Sequence, residues 1–422
     1  MARAILSLNA GSSSIKFALA EIDDAAGPRR VVGGEIEGIG TAPHFFAKSS
    51  DGTMLSDQRW TPADVPSYDD LLETLLRWVE DHLGSDTLVA VGHRVVHGGR
   101  EFAAPVRLNA QVLDALDKLT PLAPLHQPHN LAPIRALLKL RPDMLQIACF
   151  DTAFHHTLPA LATRFALPRD YEAEGVRRYG FHGLSYEYIA GQLKQTAPDL
   201  AAGKVIVAHL GNGASLCAMQ GGRSIDTTMG FTALDGLMMG TRSGSIDPGV
   251  LLYMQQQKGL SVQRVEHTLY NESGLLGVSG ISSDVRVLLA SSDSRAKEAI
   301  ALFAYRAARE AAALAGSLGG LDGFVFTAGI GEHAAEVRAA ICERLRWLGV
   351  ALDPAANERG AARISTEQSQ VEVRVIPTDE EAMIHRHIIE HLQDGNDVPG
   401  DQAREKNTNL KARQKEEKGK SP

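Results

Sequence analysis

The stretch Asn9-Ala10-Gly11-Ser12-Ser13-Ser14, followed by Lys16, gathers a carboxamide, three hydroxyls and a cation in one short loop. Gly11 lets backbone amides approach a ligand closely, the serines add donors, and Lys16 adds charge. The chemistry this suits is capture of an oxyanion, above all a phosphate. An ordinary serine-rich hairpin explains the hexapeptide alone equally well. Two further glycine turns, Gly211-Asn212-Gly213 and Gly329-Ile330-Gly331, each follow an apolar run. No dinucleotide-type G-x-G-x-x-G occurs. Gly419-Lys420-Ser421 looks like the end of a P-loop, but Gln414 stands where its first glycine is required. Three separate turns therefore favour a nucleotide gripped by several hairpins.

Arg94 and Arg242 sit in the glycine-bounded segments His93–Gly99 and Gly240–Gly244. Planar guanidiniums placed so would donate in pairs to carboxylate or phosphoryl oxygens; a structural arginine–carboxylate pair is the plainer reading. Asn9, Asp151 and Glu380 are oxygen donors fit for Mg²⁺. Asp151 could equally cap a helix, and Glu380 could simply favour a helix N-terminus after Thr378 and Asp379. The histidine pairs His93/His97, His126/His129 and His155/His156 invite a zinc site, but H-E-x-x-H is missing and the spacing within Arg94-Val95-Val96 is strand-like. A Gly-x-Ser-x-Gly nucleophile elbow is missing too.

These groups need a scaffold, and 422 residues suggest two domains. With 44% hydrophobic and 22% charged residues the chain reads as globular. A net charge of −8 gives no electrostatic reason to expect nucleic acid or a membrane as partner. The three cysteines, Cys149, Cys217 and Cys342, are far apart and form no C-x-x-C, which points to a reducing, cytoplasmic setting.

Apolar runs flank the first turn as a hairpin, and Val31–Arg59 resists assignment. Leu71, Leu72, Leu75, Leu76, Val79 and Leu83 share one helical face over Tyr68–Leu83. Leu88–Val91 and Leu145–Phe150 read as buried strands, with helices over Gln111–Leu119 and Asn130–Leu140 between them. Arg94 and Asp151 then follow strand ends, where α/β proteins gather ligands. From Lys204 a strand–glycine turn–strand unit recurs: at an offset of 200 residues Gly211 falls under Gly11 and His209 under Asn9. The spacing suggests two similar domains facing each other. Asp226–Pro248 reads as a functional loop, Ser294–Gly316 as a long helix, Gly323–Thr327 and Val371–Ile376 as strands, and His333–Leu348 and Glu380–Leu392 as helices. Gly400–Pro422, highly charged with Leu410 its only large apolar residue, reads as a disordered tail.

Taken in order, Asn9–Lys16, Gly92–Gly99, Phe150–His155, Tyr179-Gly180-Phe181-His182-Gly183, His209–Gly213, Met239–Pro248, Thr327–Glu332 and Pro377–Glu381 resemble the signature stretches of the acetate kinase family, across residues 3 to about 392. The resemblance implies an α/β fold of two duplicated ribonuclease H-like domains of the actin/Hsp70/sugar-kinase type closing over a cleft. It divides the chain into an N-terminal domain (1–152 with 384–394), a nucleotide-binding domain (153–383) and a tail (395–422). The implied reaction is reversible transfer of the ATP γ-phosphoryl group to acetate, giving acetyl phosphate and ADP, in a homodimer that needs Mg²⁺ or, in its stead, Mn²⁺. A propionate or other short-chain carboxylate kinase is the alternative within the family, and an actin- or Hsp70-like ATPase the remote one.

By the same resemblance Asn9 and Glu380 hold the metal, and Asp151 is the essential acid near it. Arg94 takes the substrate carboxylate, with Val96, Leu125, Phe181 and Ala233 around the acyl group. Arg242 and His182 stabilise the phosphoryl group in flight. Ser12, Ser14, Lys16, His209, Leu210, Gly211, Asn212, Gly213, Asp284, Val285, Arg286, Gly329, Ile330, Gly331, Glu332 and His333 are the implied nucleotide contacts. The chain departs from the family at Ala233, where proline is usual, at His333, where asparagine is usual, and at Leu184 and Tyr186, where threonine and histidine are usual.

Overall fold

The computed structural model describes residues 2–11, 13–23, 27–61, 65–124 and 126–393. Ser12, Leu125 and the expected tail 395–422 lie outside them. Thirteen strands are present among the described residues: β1 Arg3–Ala10, β2 Ser14–Asp23, β3 Gly27–Glu37, β4 His44–Ser49, β5 Met54–Arg59, β6 Thr87–Val95, β7 Val106–Arg107, β8 Leu145–Phe150, β9 Lys204–Leu210, β10 Ala214–Gln220, β11 Arg223–Thr227, β12 Gly323–Thr327 and β13 Glu372–Val375. They form two sheets, ordered β5-β4-β3-β2-β1-β6-β8-β7 and β11-β10-β9-β12-β13.

The half-chain repeat in the sequence is a repeat of topology. In both sheets three antiparallel strands (β1–β2–β3, β9–β10–β11) are followed by two that join the first in parallel (β6 and β8, β12 and β13). Asn9 and His209 occupy matching places, one residue before the end of β1 and of β9. This is the duplicated ribonuclease H-like arrangement.

Strand alternation decides what covers each sheet. Leu6 and Leu8 point to the helix Tyr68–Leu83, whose Leu71, Leu72, Leu75, Leu76 and Val79 are buried. Ser67 and Asp70 close a capping box that starts that helix. Ile5, Ala90, Ile147 and Cys149 point the other way, to Met383, Ile384 and Ile388 of the last helix, Glu380–Gln393. That helix therefore returns from the end of the chain to the first sheet. In the second sheet Ile206 and Ala208 meet the alanine-rich helix Ser294–Leu318, and Val205 and Val207 meet Ile189 and Leu193 of the helix Gly183–Thr196.

Several elements differ from the sequence reading. Val31–Arg59, left unassigned, is three antiparallel strands. Gly33-Gly34 breaks their apolar alternation because the space is taken: a Cβ on Gly34 would lie 2.3 Å from the Phe46 carbonyl and 2.5 Å from the Phe17 ring. Strand β6 does not stop at Val91 but runs through Gly92 to Val95, so Arg94 lies inside a strand. Gly92 is there because the last helix rests directly on it; a Cβ would stand 2.3 Å from Ile384 Cγ2. The helix expected from His333 begins at Ala328, as a single helical segment Ala328–His333, and a second runs Ala335–Arg344. Asp226–Pro248 contains the end of β11; between Thr227 and Pro248 there is no regular element.

The last helix is also tied to the helix Gly183–Thr196 through His387, whose Nε2 lies 3.0 Å from Glu187 Oε2. Burial disfavours the charged imidazole, but Glu187 and Glu390 outweigh it and hold His387 above its ordinary value. A raised histidine pKa stabilises the fold fully below the unfolded value near 6.5, and that contribution is lost as pH rises through the folded value. Glu187→Gln is therefore expected to lower the melting temperature at pH 6 and to match the parent by pH 9. Glu187 is 37% exposed, so solvent screens the pair and the difference at pH 6 is only about 1–2 °C. Melting curves at the two pH values check this; an equal deficit at both would contradict it.

Candidate active site

Three neighbouring strands of the first sheet end at one place. Asn9 closes β1 across from Lys16, Arg94 lies near the end of β6, and Asp151 follows β8, its amide donating to the Val95 carbonyl (3.1 Å). Asn130, from the helix Gln127–Leu140, stitches these ends together. Its carboxamide oxygen accepts from the Val96 amide (2.9 Å), and its nitrogen donates to the Ala10 carbonyl (2.6 Å). Gln127 does the same for His97, accepting from its amide and donating to its carbonyl. The sequence reading singled out neither residue; buried side-chain amides at a helix start carry no distinctive sequence signal.

Arg94 is the hub. Its Nε donates to Asp151 Oδ1 at 2.9 Å and its Nη2 to Asp151 Oδ2 at 2.7 Å, while Nη1 lies 3.2 Å from Glu380 Oε2. Asp151 is 1% exposed. Burial works against the guanidinium charge, but Asp151 and Glu380 outweigh it and raise Arg94 above its ordinary value. A guanidinium carries five N–H donors, so N–H groups on both terminal nitrogens are left for another anion. Neither carboxylate is taken up by capping. Asp151 spends both oxygens on Arg94, and the amide of Ala382 is met by Asp379, leaving Glu380 directed at Arg94. Burial, then repulsion from Asp151 and Glu381, pushes Glu380 up to about 7 in spite of Arg94.

His182, at the start of the helix Gly183–Thr196, and Arg242, in the loop after β11, come from beside the second sheet. His182 has φ 58°, one of two non-glycine residues with positive φ among those described, and its Nδ1 lies 2.8 Å from Ser215 Oγ. Such backbone is costly and concentrates at working sites. The other such residue, Ala328, opens the Gly329–Gly331 turn. Burial, then His209 and the two arginines, holds His182 well below its ordinary value, so the ring is neutral. Its plane stacks on His209, centroids 4.1 Å apart. Arg242 donates from Nη1 to the Ala233 carbonyl (3.0 Å) and, among the described residues, has no carboxylate partner. Burial, and Arg94 nearby, lowers its pKa. A Cβ built on Gly213 would stand 3.3 Å from His182 Nε2 and 3.9 Å from Arg242 Nη1. Both donors thus converge above a glycine that leaves them room. His126, considered in the sequence only as a zinc ligand, lies close enough to Arg242 and Arg94 for both to depress its pKa, after burial, to about 4.

Apolar walls adjoin these cations: Val96 and Phe181 are buried with Met229, Met238 and Met239, and Ala233 packs against that cluster. A separate cavity of 480 Å³ is lined by Gly211, Asn212, Asp284, Val285, Arg286, Gly329, Ile330 and His333, with Ser283, Leu289 and Ala334. Eight of the expected nucleotide contacts thus share one hollow. His209 and Gly213 face the His182–Arg242 side instead. Leu210 is buried in the core, so only its backbone is free to meet a ligand. The carbonyls of Gly331 and Glu332 are held by the buried Arg338, and Glu332 Oε1 accepts from the Thr378 amide (3.1 Å), tying this turn to the start of the last helix. Lys16 lines another hollow, with Arg30, Lys48 and Glu381, although its charge still reaches Glu380. Ser14 opens β2 and its carbonyl accepts from the Gly11 amide (2.8 Å).

Known proteins resemble this chain in both sequence and fold. A family model described as the acetokinase family matches residues 4–386. A protein of Rhodopseudomonas palustris (strain TIE-1) named acetate kinase is 56% identical over 392 residues, 92% of this chain and 98% of its own. Among solved structures, a propionate kinase from Francisella tularensis superposes with a TM-score of 0.84 at 39% identity, covering 91% of this chain and 98% of its own. The acetate kinase of Porphyromonas gingivalis superposes with a TM-score of 0.83 at 35% identity, covering 92% and 100%. With a match of this extent laid over two sheets of shared topology, the chain belongs to the acetokinase family.

Proposed function

We propose that the protein transfers the γ-phosphoryl group of ATP reversibly to acetate by direct in-line displacement, giving acetyl phosphate and ADP. The observation that carries this reading is the convergence of Arg242 and His182 Nε2 above Gly213, beside apolar walls and the Arg94 cluster. Phosphoryl transfer asks for cations and donors against spreading equatorial charge, and little covalent chemistry from the protein. Arg94 offers its remaining N–H groups to the acceptor carboxylate, and Val96, Phe181 and Ala233 enclose its methyl group. The 480 Å³ cavity takes the base and ribose of the nucleotide.

Asn9 and Glu380 fit Mg²⁺ as ligands, with Asp151 beside them. Two acids, Asp151 and Glu380, face one guanidinium; burial, then repulsion from Asp151 and Glu381, makes the Glu380 charge costly, and a hard cation would balance it. When bound, the ion would offset the charge of the nucleotide phosphates. Arg94 meanwhile orients the acid, and Arg242 and His182 hold the group in transit. We take residues 1–152 with 384–394 as one lobe and 153–383 as the other, closing over this cleft.

No helix among the described residues is long and apolar enough to cross a membrane, and a cytoplasmic enzyme is our reading. A homodimer accords with the helix Pro248–Gln256, which buries none of its residues and exposes Val250, Leu252 and Tyr253. The deciding experiment is hydroxamate trapping of the acyl phosphate with ATP, Mg²⁺ and acetate, propionate, butyrate or no acid. Trapped product that requires acetate and magnesium supports the reading; ADP release without trapped product would replace it with an ATP-driven binding protein.

A propionate reading is favoured by one observation, Ala233. Its N–H makes no hydrogen bond among the described residues, so proline would forfeit none there, and the smaller residue leaves a wider acyl pocket. Ala233→Pro is expected to lower kcat/KM for propionate relative to acetate by about 10-fold, the worth of one methylene in an apolar pocket. An unchanged ratio would remove Ala233 from specificity.

A further inference from the structure

The hydroxyl of Tyr186 lies 2.5 Å from Ser215 Oγ, which lies 2.8 Å from His182 Nδ1. Tyr186 and Ser215 are both 0% exposed, and neither side chain has another hydrogen-bond partner among the described residues. A buried phenol that fails to donate its proton costs about 1–3 kcal/mol. Among the described residues Ser215 Oγ is the one hydrogen-bond partner of this hydroxyl, so Tyr186 donates to it. The Ser215 proton then has one place to go, the lone pair of His182 Nδ1. Hydrogen-bond direction is thus set at the buried end of the chain, and it forces the imidazole proton onto Nε2. His209 does not compete, because its own Nδ1 is met by Ser185, which Thr378 bonds in turn.

We propose that Tyr186 is a positioning residue: through Ser215, its hydroxyl locks His182 in the tautomer that presents Nε2–H above Gly213 to the transferring phosphoryl group. The proposal rests on the reading of His182 as a phosphoryl donor. Without the phenol, Ser215 is free to turn and accept from Nδ1–H instead. Nε2 would then aim a lone pair at phosphoryl oxygens, replacing attraction by repulsion. The Tyr186 ring also packs edge-on to His155 and His209, at 5.6 and 6.4 Å between centroids, and phenylalanine preserves those contacts.

The test is nitrogen NMR of histidine-labelled protein, with the His182 signals assigned by their loss in His182→Ala, alongside kinetics of Tyr186→Phe, Ser215→Ala and the double variant. The parent is expected to show a protonated Nε2 and bare Nδ1, and Tyr186→Phe a mixture of the two tautomers. Its kcat should fall ~10–100-fold, the usual worth of a supporting hydrogen-bond partner. KM for acetate and ATP should stay within about twofold, as for an interaction made in the transition state. In the Ser215→Ala background the Tyr186 change should cost nothing further. An Nδ1–H tautomer in the parent, or a full additional loss in that background, would overturn the proposal. If instead the parent makes no acetyl phosphate, or His182→Ala keeps the full rate, the functional reading fails while the tautomer result still judges the relay.

Discussion

Replacing Arg242 by alanine is expected to lower kcat by ~10³-fold, the scale on which removal of an arginine finger acts, with the protein still folded. Two structural facts separate this from a stability effect. Among the described residues Arg242 has no carboxylate partner, and its side chain donates only to the Ala233 carbonyl and, weakly, to the Met239 sulfur. A buried cation without a counterion costs desolvation energy in the free enzyme, as its lowered pKa reflects. Truncation therefore removes a strain from the resting protein while it removes charge stabilisation from the transition state. Activity and melting temperature should part company: the rate collapses, and the melting temperature holds or rises. A rate loss under tenfold at unchanged melting temperature would sink the role given to Arg242.

The behaviour of Arg242 and Arg94 also shows where sequence reading reaches its limit. Both were legible as candidates from their glycine-bounded settings, and for each a structural ion pair was the plainer alternative. In Arg94 the structural reading holds and leaves room for the other. It is paired bidentately with Asp151 and still has donors to spare, because guanidinium has five N–H groups and a carboxylate uses two. In Arg242 the structural alternative finds no carboxylate among the described residues. No spacing rule distinguishes these cases, since the deciding partner lies 57 residues from Arg94, across β6 and β8. The capping alternatives fall to distant partners in the same manner: both Asp151 oxygens accept from Arg94, and Asp379 takes the helix amide in place of Glu380.

Local periodicity carried much of the fold. The helix Tyr68–Leu83 and the strands Leu145–Phe150 and Gly323–Thr327 are bounded as their apolar patterns indicate. Periodicity failed where glycine serves a close approach: at Gly34 and Gly92 a neighbouring side chain or carbonyl occupies the space of a Cβ, so the strand pattern is interrupted while the strand is not. The weak offset-200 repeat became decisive only as sheet topology, because strand order is invisible in residue identity. The residues that fix the site from behind, Asn130, Gln127, Arg338 and Ser215, were missed for a common reason. Each takes its meaning from the carbonyl, amide, hydroxyl or ring nitrogen that it meets, which lies far away in sequence.

Changing Asp151 to asparagine is expected to lower kcat/KM for acetate by ~10²–10³-fold, through misplacement of Arg94 by less than the length of a bond. The backbone of residue 151 should be unaffected, because its amide still reaches Val95 and its carbonyl still accepts from Gly183 (2.8 Å). The side chain cannot remain neutral in effect. One of the two oxygens that accept from Arg94 becomes an NH₂ group, and a donor then faces a donor. Arg94 keeps Glu380 at 3.2 Å as its remaining partner and swings toward it. Removing one member of a buried pair usually costs about 3–5 kcal/mol of stability, and the surviving Glu380 contact should hold the loss to the lower end. Melting temperature must therefore be measured together with the rate. What identifies Asp151 as a holder of Arg94, and not as a base, is pH. A short alkanoic acid has a pKa of about 5 and is already ionised at pH 7, so no proton has to be taken from it. Above the range in which Glu380 titrates, between about pH 8.5 and 9.5, the defect of Asp151→Asn should be constant. A defect that shrank steadily as pH rose would mean that hydroxide was replacing a lost base, and the direct attack of the carboxylate would have to be abandoned.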